Sequence, residues 1–279
     1  MTQSGSENPI GVFDSGVGGL TILRAVRQAL PCEHLIYVAD TAYVPYGHKS
    51  PEQIRDRATA IAGFLVQQGA KAVVVACNTA TAAAIDVLRA QMLIPLVGVE
   101  PAVKPAVAAT RSGVVGVLAT PTTLASARYR RLIDRVAPGI RILAQPCAGL
   151  AEHIERGDLD GARTEQLLRG FVEPLLAERA DVIVLGCTHY PLVSHIVQRI
   201  AGPGVAVIEN GTAVAREVAR QLTLRGSARP SGAGSEIFWS SGPAQRIEPL
   251  LKELWAPHAR VQRLPAFQSK SGHDFNATP

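Results

Sequence analysis

Aromatic side chains are scarce: Phe, Tyr and Trp make up 5% of the 279 residues, with only two Trp. A core built on large rings is excluded, and the abundant Ala and Val point to helices packed closely on sheets. Charge is sparse too, at 18% against 47% hydrophobic residues, which excludes a disordered chain. No apolar run reaches the roughly 18 residues needed to cross a bilayer. Met1 to Pro9 lack the apolar stretch of a signal peptide, so no membrane association is expected. The four Cys show no C-x-x-C spacing, and Cys187 with His189 lacks further ligands at finger spacing. No metal site is therefore expected. Without a secretory signal, the cysteines read as free thiols in a reducing cytoplasm and not as a disulfide framework. Long blocks of like charge are also missing. The net charge of +5 is spread over Arg24, Arg27, Arg55, Arg57, Arg128, Arg130, Arg131 and Arg135, read as solvated helix faces. No motif supports a nucleic-acid partner.

What is present is an alternation of short apolar runs with longer helical patterns. Strands are predicted at 10–13, 34–39, 72–76 and 96–99, with helices at 20–29, 51–68 and 79–91 between them. Ser50 reads as an N-cap with Pro51 at the first helical position. The pattern then restarts, with strands at 114–118, 141–144, 182–185 and 205–208. Its helices are expected at 122–135, 164–179 and 192–201. A further helix at 212–224, a strand at 237–240 and a helix at 245–254 follow, and the tail after Pro265 is expected to fray. These signals predict an α/β protein of two similar, doubly wound parallel-sheet lobes with a substrate cleft between them. Residues 1–100 plus 211–279 would form the N-terminal lobe with a returning C-terminal segment, and 101–210 the second lobe. Cys77 follows Asp14 at about the spacing at which Cys187 follows Thr120, consistent with duplication.

Two cysteine segments carry the chemistry. V-V-V-A-C-N-T-A surrounds Cys77, and V-I-V-L-G-C-T-H surrounds Cys187. Each thiol is expected at the carboxyl end of a buried strand, where α/β sheets bind ligands. At a helix N-terminus, Cys77 is expected to have a lowered pKa. Asn78 and Thr79 add donors to it. Thr188 and His189 do the same for Cys187, with His189 able to exchange protons near neutral pH. The run Asp14-Ser15-Gly16-Val17-Gly18-Gly19 is neither G-x-G-x-x-G nor a P-loop, so its backbone amides suit a carboxylate better than a phosphate. Asp14 is suited to an ammonium group or to orienting a thiol. Pro45-Tyr46-Gly47, after Asp40, reads either as a ligand-holding loop or as a buried turn. A Cys187–His189 hydrolase dyad and a non-catalytic binding module are the rival readings. The second thiol segment argues against the first, and the full set of polar neighbours against the other.

Together, D-S-G-x-G-G at Asp14, D-T-A-x-x-P-Y-G at Asp40, A-C-N-T-A at Cys77, L-A-T at Thr120 and G-C-T-H-Y-P at Cys187 resemble the glutamate racemases. The resemblance runs in order from about Ile10 to about Gly211. It implies cofactor-independent interconversion of L- and D-glutamate for peptidoglycan synthesis, with Cys77 and Cys187 on opposite faces of the α-carbon. It implies substrate contacts from Asp14, Ser15, Pro45, Tyr46, Gly47, Asn78, Thr79, Thr120, Thr188 and His189. Catalytic help is implied from Asp14, His189 and a second-lobe Glu, taken as Glu152 in G-L-A-E. Residues 99–105 match the family's hinge, whereas Glu209-Asn210-Gly211 departs from the usual acidic motif. Partners implied are glutamate as substrate, a second copy in a homodimer, and a cell-wall precursor as activator. No pyridoxal-binding lysine is expected, because Lys71 and Lys104 have no identifiable partner.

Overall fold

A computed structural model describes residues 5–267. The expected fraying after Pro265 falls mostly outside the described residues. In chain order the strands are β1 Ile10–Asp14, β2 His34–Ala39, β3 Ala72–Val75, β4 Leu96–Gly98, β5 Val114–Ala119, β6 Arg141–Pro146, β7 Val182–Leu185, β8 Ala206–Ile208, β9 Ser235–Ser240 and β10 Val261–Arg263. The helices are α1 Leu20–Ala29, α2 Pro51–Gln67, α3 Asn78–Gln91, α4 Val103–Ala109, α5 Pro121–Ala125, α6 Ala127–Val136, α7 Leu150–Glu155, α8 Ala162–Ala177, α9 Ser194–Ala201, α10 Gly211–Leu224 and α11 Ala244–Leu254.

All strand pairs are parallel and form two sheets, as the alternation of elements requires. One has six strands in the order β10-β9-β2-β1-β3-β4, and the other has four in the order β6-β5-β7-β8. The order second-first-third-fourth thus occurs in both. In each sheet the first strand lies beside the third at the point where the winding reverses. The β1, β3 and β7 residues are buried on both faces. Their side chains alternate: Val74 enters one apolar cluster and Val73 and Val75 another, while Val184 and Ile183 divide likewise in the second sheet. The strand β10 and the helix α7 were not anticipated. Both are short, and α7 offers too few turns for a periodic signal.

Local chemistry fixes the ends that matter. Ser50 caps α2, its hydroxyl accepting from the Gln53 amide while the Gln53 side chain accepts from the Ser50 amide, and Pro51 opens the helix. The expected hinge is partly helical, because α4 already starts at Val103.

Not all of the arginines are solvated. Arg57 is buried and grips Asp40 through two hydrogen bonds of 2.6 and 3.0 Å. Arg128 on α6 reaches Asp86 on α3 at 3.0 Å and Glu100 at 2.8 Å, tying the two sheets' helices together. A charge count cannot distinguish a solvated arginine from one with a carboxylate brought to it by the fold. Lys71 likewise has a partner, Glu33, at 2.5 Å.

Candidate active site

Cys77 and Cys187 follow β3 and β7, the third strand of each sheet. Both are buried, 5% and 6% exposed, and both line one cavity between the sheets with Ser15, Thr120, Thr188 and His189. Pro45, Tyr46, Gly47, Asn78 and Thr79 complete the wall on the six-stranded side, and Ala151 adds to it from α7. The cavity measures about 20 Å³, room for roughly one water molecule.

Asp14 ends β1 and is fully buried behind this wall. Its carboxylate accepts from the Ser15 amide at 2.6 Å and from the Thr188 hydroxyl, on the opposite side, at 3.1 Å. Burial raises its pKa, opposed by the positive charge of His189 and a hydrogen bond with Cys77. Cys77 is the N-cap of α3, its sulfur accepting from the Ala80 amide at 3.5 Å, with the Ser15 hydroxyl 3.9 Å away. The lowered pKa expected from this position is overturned. Burial, followed by the neighbouring Asp14 charge, pushes the thiol well above its usual value, outweighing the Ala80 amide.

Cys187 is differently furnished. Its sulfur lies 3.7 Å from Nδ1 of His189, whose Nε2 lies 2.5 Å from Oε1 of Glu155. Burial would pull His189 down. Its hydrogen bonds to Cys187 and Glu155 outweigh that and hold the imidazole well above the usual histidine range. The contact expected of Glu152 is thus made by Glu155, one turn further along α7. Glu152 instead meets His48 at 2.6 Å at the exposed rim. Both acids lie on the same side of a single short helix, so the sequence offers two candidates and only the packing separates them.

Elsewhere in the wall, hydroxyls replace charge. Thr79, Thr120 and Thr123 form a triangle with oxygen separations of 2.9–3.3 Å, joining the two sheets across the cavity wall. The 45–47 turn is held from below: Tyr46 is buried and donates to Asp40 at 2.6 Å, and Asp40 is the carboxylate that Arg57 grips. Tyr46 is therefore both a buried turn residue and part of the cavity lining. Gly47 accepts from the Thr122 hydroxyl at 2.6 Å. Asn78 donates to the Val99 carbonyl at 3.3 Å, leaving its buried Oδ1 unpartnered. Sequence reasoning missed Glu155, Tyr37 and Thr123. Tyr37 is buried beneath the glycine run and donates to the Gly16 carbonyl at 2.5 Å. Asn210, in the segment that departs from the family pattern, donates to the Leu185 carbonyl at 3.1 Å at the end of β7.

The arrangement places two thiols on one small cavity whose wall is rich in hydroxyls and backbone, with a carboxylate behind one thiol and an imidazole–carboxylate pair behind the other. A family model described as Asp/Glu/Hydantoin racemase matches residues 18–218. The glutamate racemase of Methylococcus capsulatus is 51% identical over 265 residues, covering 95% of this chain and 98% of the relative. That of Stutzerimonas stutzeri is 51% identical over 259 residues, covering 92% and 98%. Among solved structures, the Thermus thermophilus glutamate racemase in complex with beta-chloro-D-alanine superposes with a TM-score of 0.80 at 38% identity, covering 93% of this chain and 97% of that one. The Escherichia coli glutamate racemase in complex with L-glutamate and the activator UDP-MurNAc-ala gives 0.82 at 32% identity, covering 93% and 99%.

Proposed function

The chain belongs to the Asp/Glu/hydantoin racemase family, and we propose that it moves the α-proton of glutamate between two cysteines, Cys77 and Cys187. Its activity is glutamate racemisation, an isomerisation, and the family role is supply of D-glutamate for peptidoglycan. The observation that carries the two-base reading is the pair of thiols sharing one cavity from separate sheets.

In one direction a thiolate takes the α-proton, and the C–H electron pair passes into the substrate carboxylate. The opposite thiol then delivers its proton to the other face and becomes the thiolate, so the roles exchange in reverse. The α-proton is a very weak acid, and charge developing on the carboxylate needs donors already in place. Asn78, Thr79 and Thr120 are assigned that task, with Ser15, Thr188 and the Pro45-Tyr46-Gly47 turn as further substrate contacts. Asp14 is assigned to the ammonium group and to the Cys77 proton. An arriving ammonium would also offset the burial cost that raises the pKa of Asp14 and of Cys77. His189, backed by Glu155, is assigned to the Cys187 proton.

On this reading the lobes are 1–100 plus 211–279 and 101–210, and the enzyme is a homodimer. It works in the cytoplasm, where reducing conditions keep both thiols available. The E. coli relative was solved with an activator, and a nucleotide-linked cell-wall precursor is the corresponding activator proposed here. The deciding experiment follows optical rotation with L- and D-glutamate, without added cofactor and with aspartate as control. Racemisation from both enantiomers, with solvent deuterium entering Cα, is expected. Ammonia release from amides without racemisation would leave the Cys187–His189 hydrolase standing instead.

A further inference from the structure

The glycine run after β1 would suit a carboxylate, and in the folded chain the carboxylate it receives is the protein's own. The Val17 amide donates to Glu155 Oε1 at 2.7 Å, the same oxygen that meets His189 Nε2. Gly16 and Gly18 are not among the described glycines with positive φ, so backbone freedom does not explain them. Space does. A Cβ on Gly16 would collide with the Glu155 carboxylate, and one on Gly18 would sit 2.5 Å from Nδ1 of His189. At the start of α1 the Thr21 hydroxyl lies 2.8 Å from the Gly18 carbonyl and 3.1 Å from the Thr188 carbonyl. Thr188 in turn donates to Asp14. Val17 thus reaches α7 of the other side, and the Thr21–Thr188 and Thr188–Asp14 contacts join the six-stranded side to the segment that carries Cys187.

We propose that the segment from Gly16 to Thr21 is a positioning device for the opposite thiol. Gly16 and Gly18 leave the room, Val17 supplies an amide and Thr21 a hydroxyl, and together they seat Glu155, His189 and Thr188 behind Cys187. The proposal rests on the two-cysteine reading and deepens it. The Cys187–His189–Glu155 contacts lie within 101–210, and the first lobe completes this proton-handling group from outside by fixing where its carboxylate and imidazole sit. Gly16, Val17, Gly18 and Thr21 are positioning residues. They act through Glu155, His189 and Thr188.

The test compares Gly16→Ala, Gly18→Ala and Thr21→Val in the full chain, with Gly63→Ala as control because a Cβ there meets nothing within 4 Å. Alkylation of each thiol by iodoacetamide is followed across pH by mass spectrometry, alongside racemisation. In Gly16→Ala and Gly18→Ala the alkylation of Cys187 should slow several-fold relative to that of Cys77, and kcat should fall about tenfold or more with KM within about threefold. An unchanged ratio of the two alkylation rates overturns the proposal. If either glycine variant fails to fold, Thr21→Val decides. The same direction is expected with a smaller size, and Thr21→Ser should restore it. Alkylation requires no turnover. A wild-type chain that fails to racemise glutamate therefore sinks the two-cysteine reading, whereas the alkylation ratio alone sinks this one.

Discussion

Cys77 and Cys187 follow corresponding strands, β3 and β7, in sheets of the same strand order, yet they meet unlike surroundings. Cys77 caps a helix and faces the Asp14 carboxylate in a fully buried site, which holds its proton on. Cys187 faces an imidazole that Glu155 and the thiol itself keep protonated to unusually high pH. The repeated strand order thus sets where a thiol stands, while a few side chains decide how it gives up its proton. For a reaction that must run from either enantiomer, the geometry has to be two-sided, but the proton chemistry on each side need not match.

The largest expected effects test whether both sides are needed. Cys77→Ala and Cys187→Ala should each lower racemisation about a thousandfold or more, the upper part of the range for removing a positioned acid–base group. Substantial turnover in either variant would break the two-sided picture outright. Cys→Ser variants sharpen it. Each should still exchange solvent deuterium into Cα from one enantiomer and lose exchange from the other, with the affected enantiomer reversed between the two.

Next come the helpers, where the two sides should respond in different ways. Asp14→Asn removes a negative charge that helps to push the Cys77 thiol up. Alkylation of Cys77 at fixed pH should therefore become faster while racemisation falls about a hundredfold, because the ammonium loses its partner. Glu155→Gln should cut kcat/KM about ten- to a hundredfold, with a change in pH dependence. Glu155 raises His189, so its neutral replacement lets the imidazolium lose its proton sooner. The alkaline limb of kcat/KM should move to lower pH by about one to three units, as expected for loss of a close opposite charge. An alkaline limb that stays in place would detach Glu155 from His189 and return Cys187 to a plainer environment.

Much of this was legible in the chain. Both thiols, His189, Asp14 and the parallel α/β sheets are announced by local signals: β-branched runs that stop at a small polar cluster, and glycines at strand ends. The acidity of Cys77 was not legible. A helix N-terminus is a local feature, but the burial and the Asp14 charge that outweigh it come from residues far away in sequence. The true meaning of the glycine run was hidden for the same reason, since its occupant arrives from α7. The arginine of α6 that spans the two sheets looked like any other surface charge until Asp86 and Glu100 were brought beside it.

The smallest effect concerns the acid that sequence reasoning preferred. Glu152 meets His48 at 2.6 Å across the rim of the cleft, but His48 is 67% exposed. Water and salt screen such a pair, and its two side chains lose freedom in forming it. Glu152→Gln and His48→Ala should each change kcat/KM by less than about threefold, expressed mainly in KM, because the pair bears on closing the rim and not on the thiols. The double variant should match the larger of the two single effects if the contact is all they share. This weak result carries as much weight as the strong ones. If Glu152→Gln proved more damaging than Glu155→Gln, or moved the alkaline limb, the relay behind Cys187 would run through the other acid of α7. The first lobe's hold on Glu155 would then be mere packing. The order of the two glutamines, measured side by side, fixes which carboxylate makes Cys187 different from Cys77.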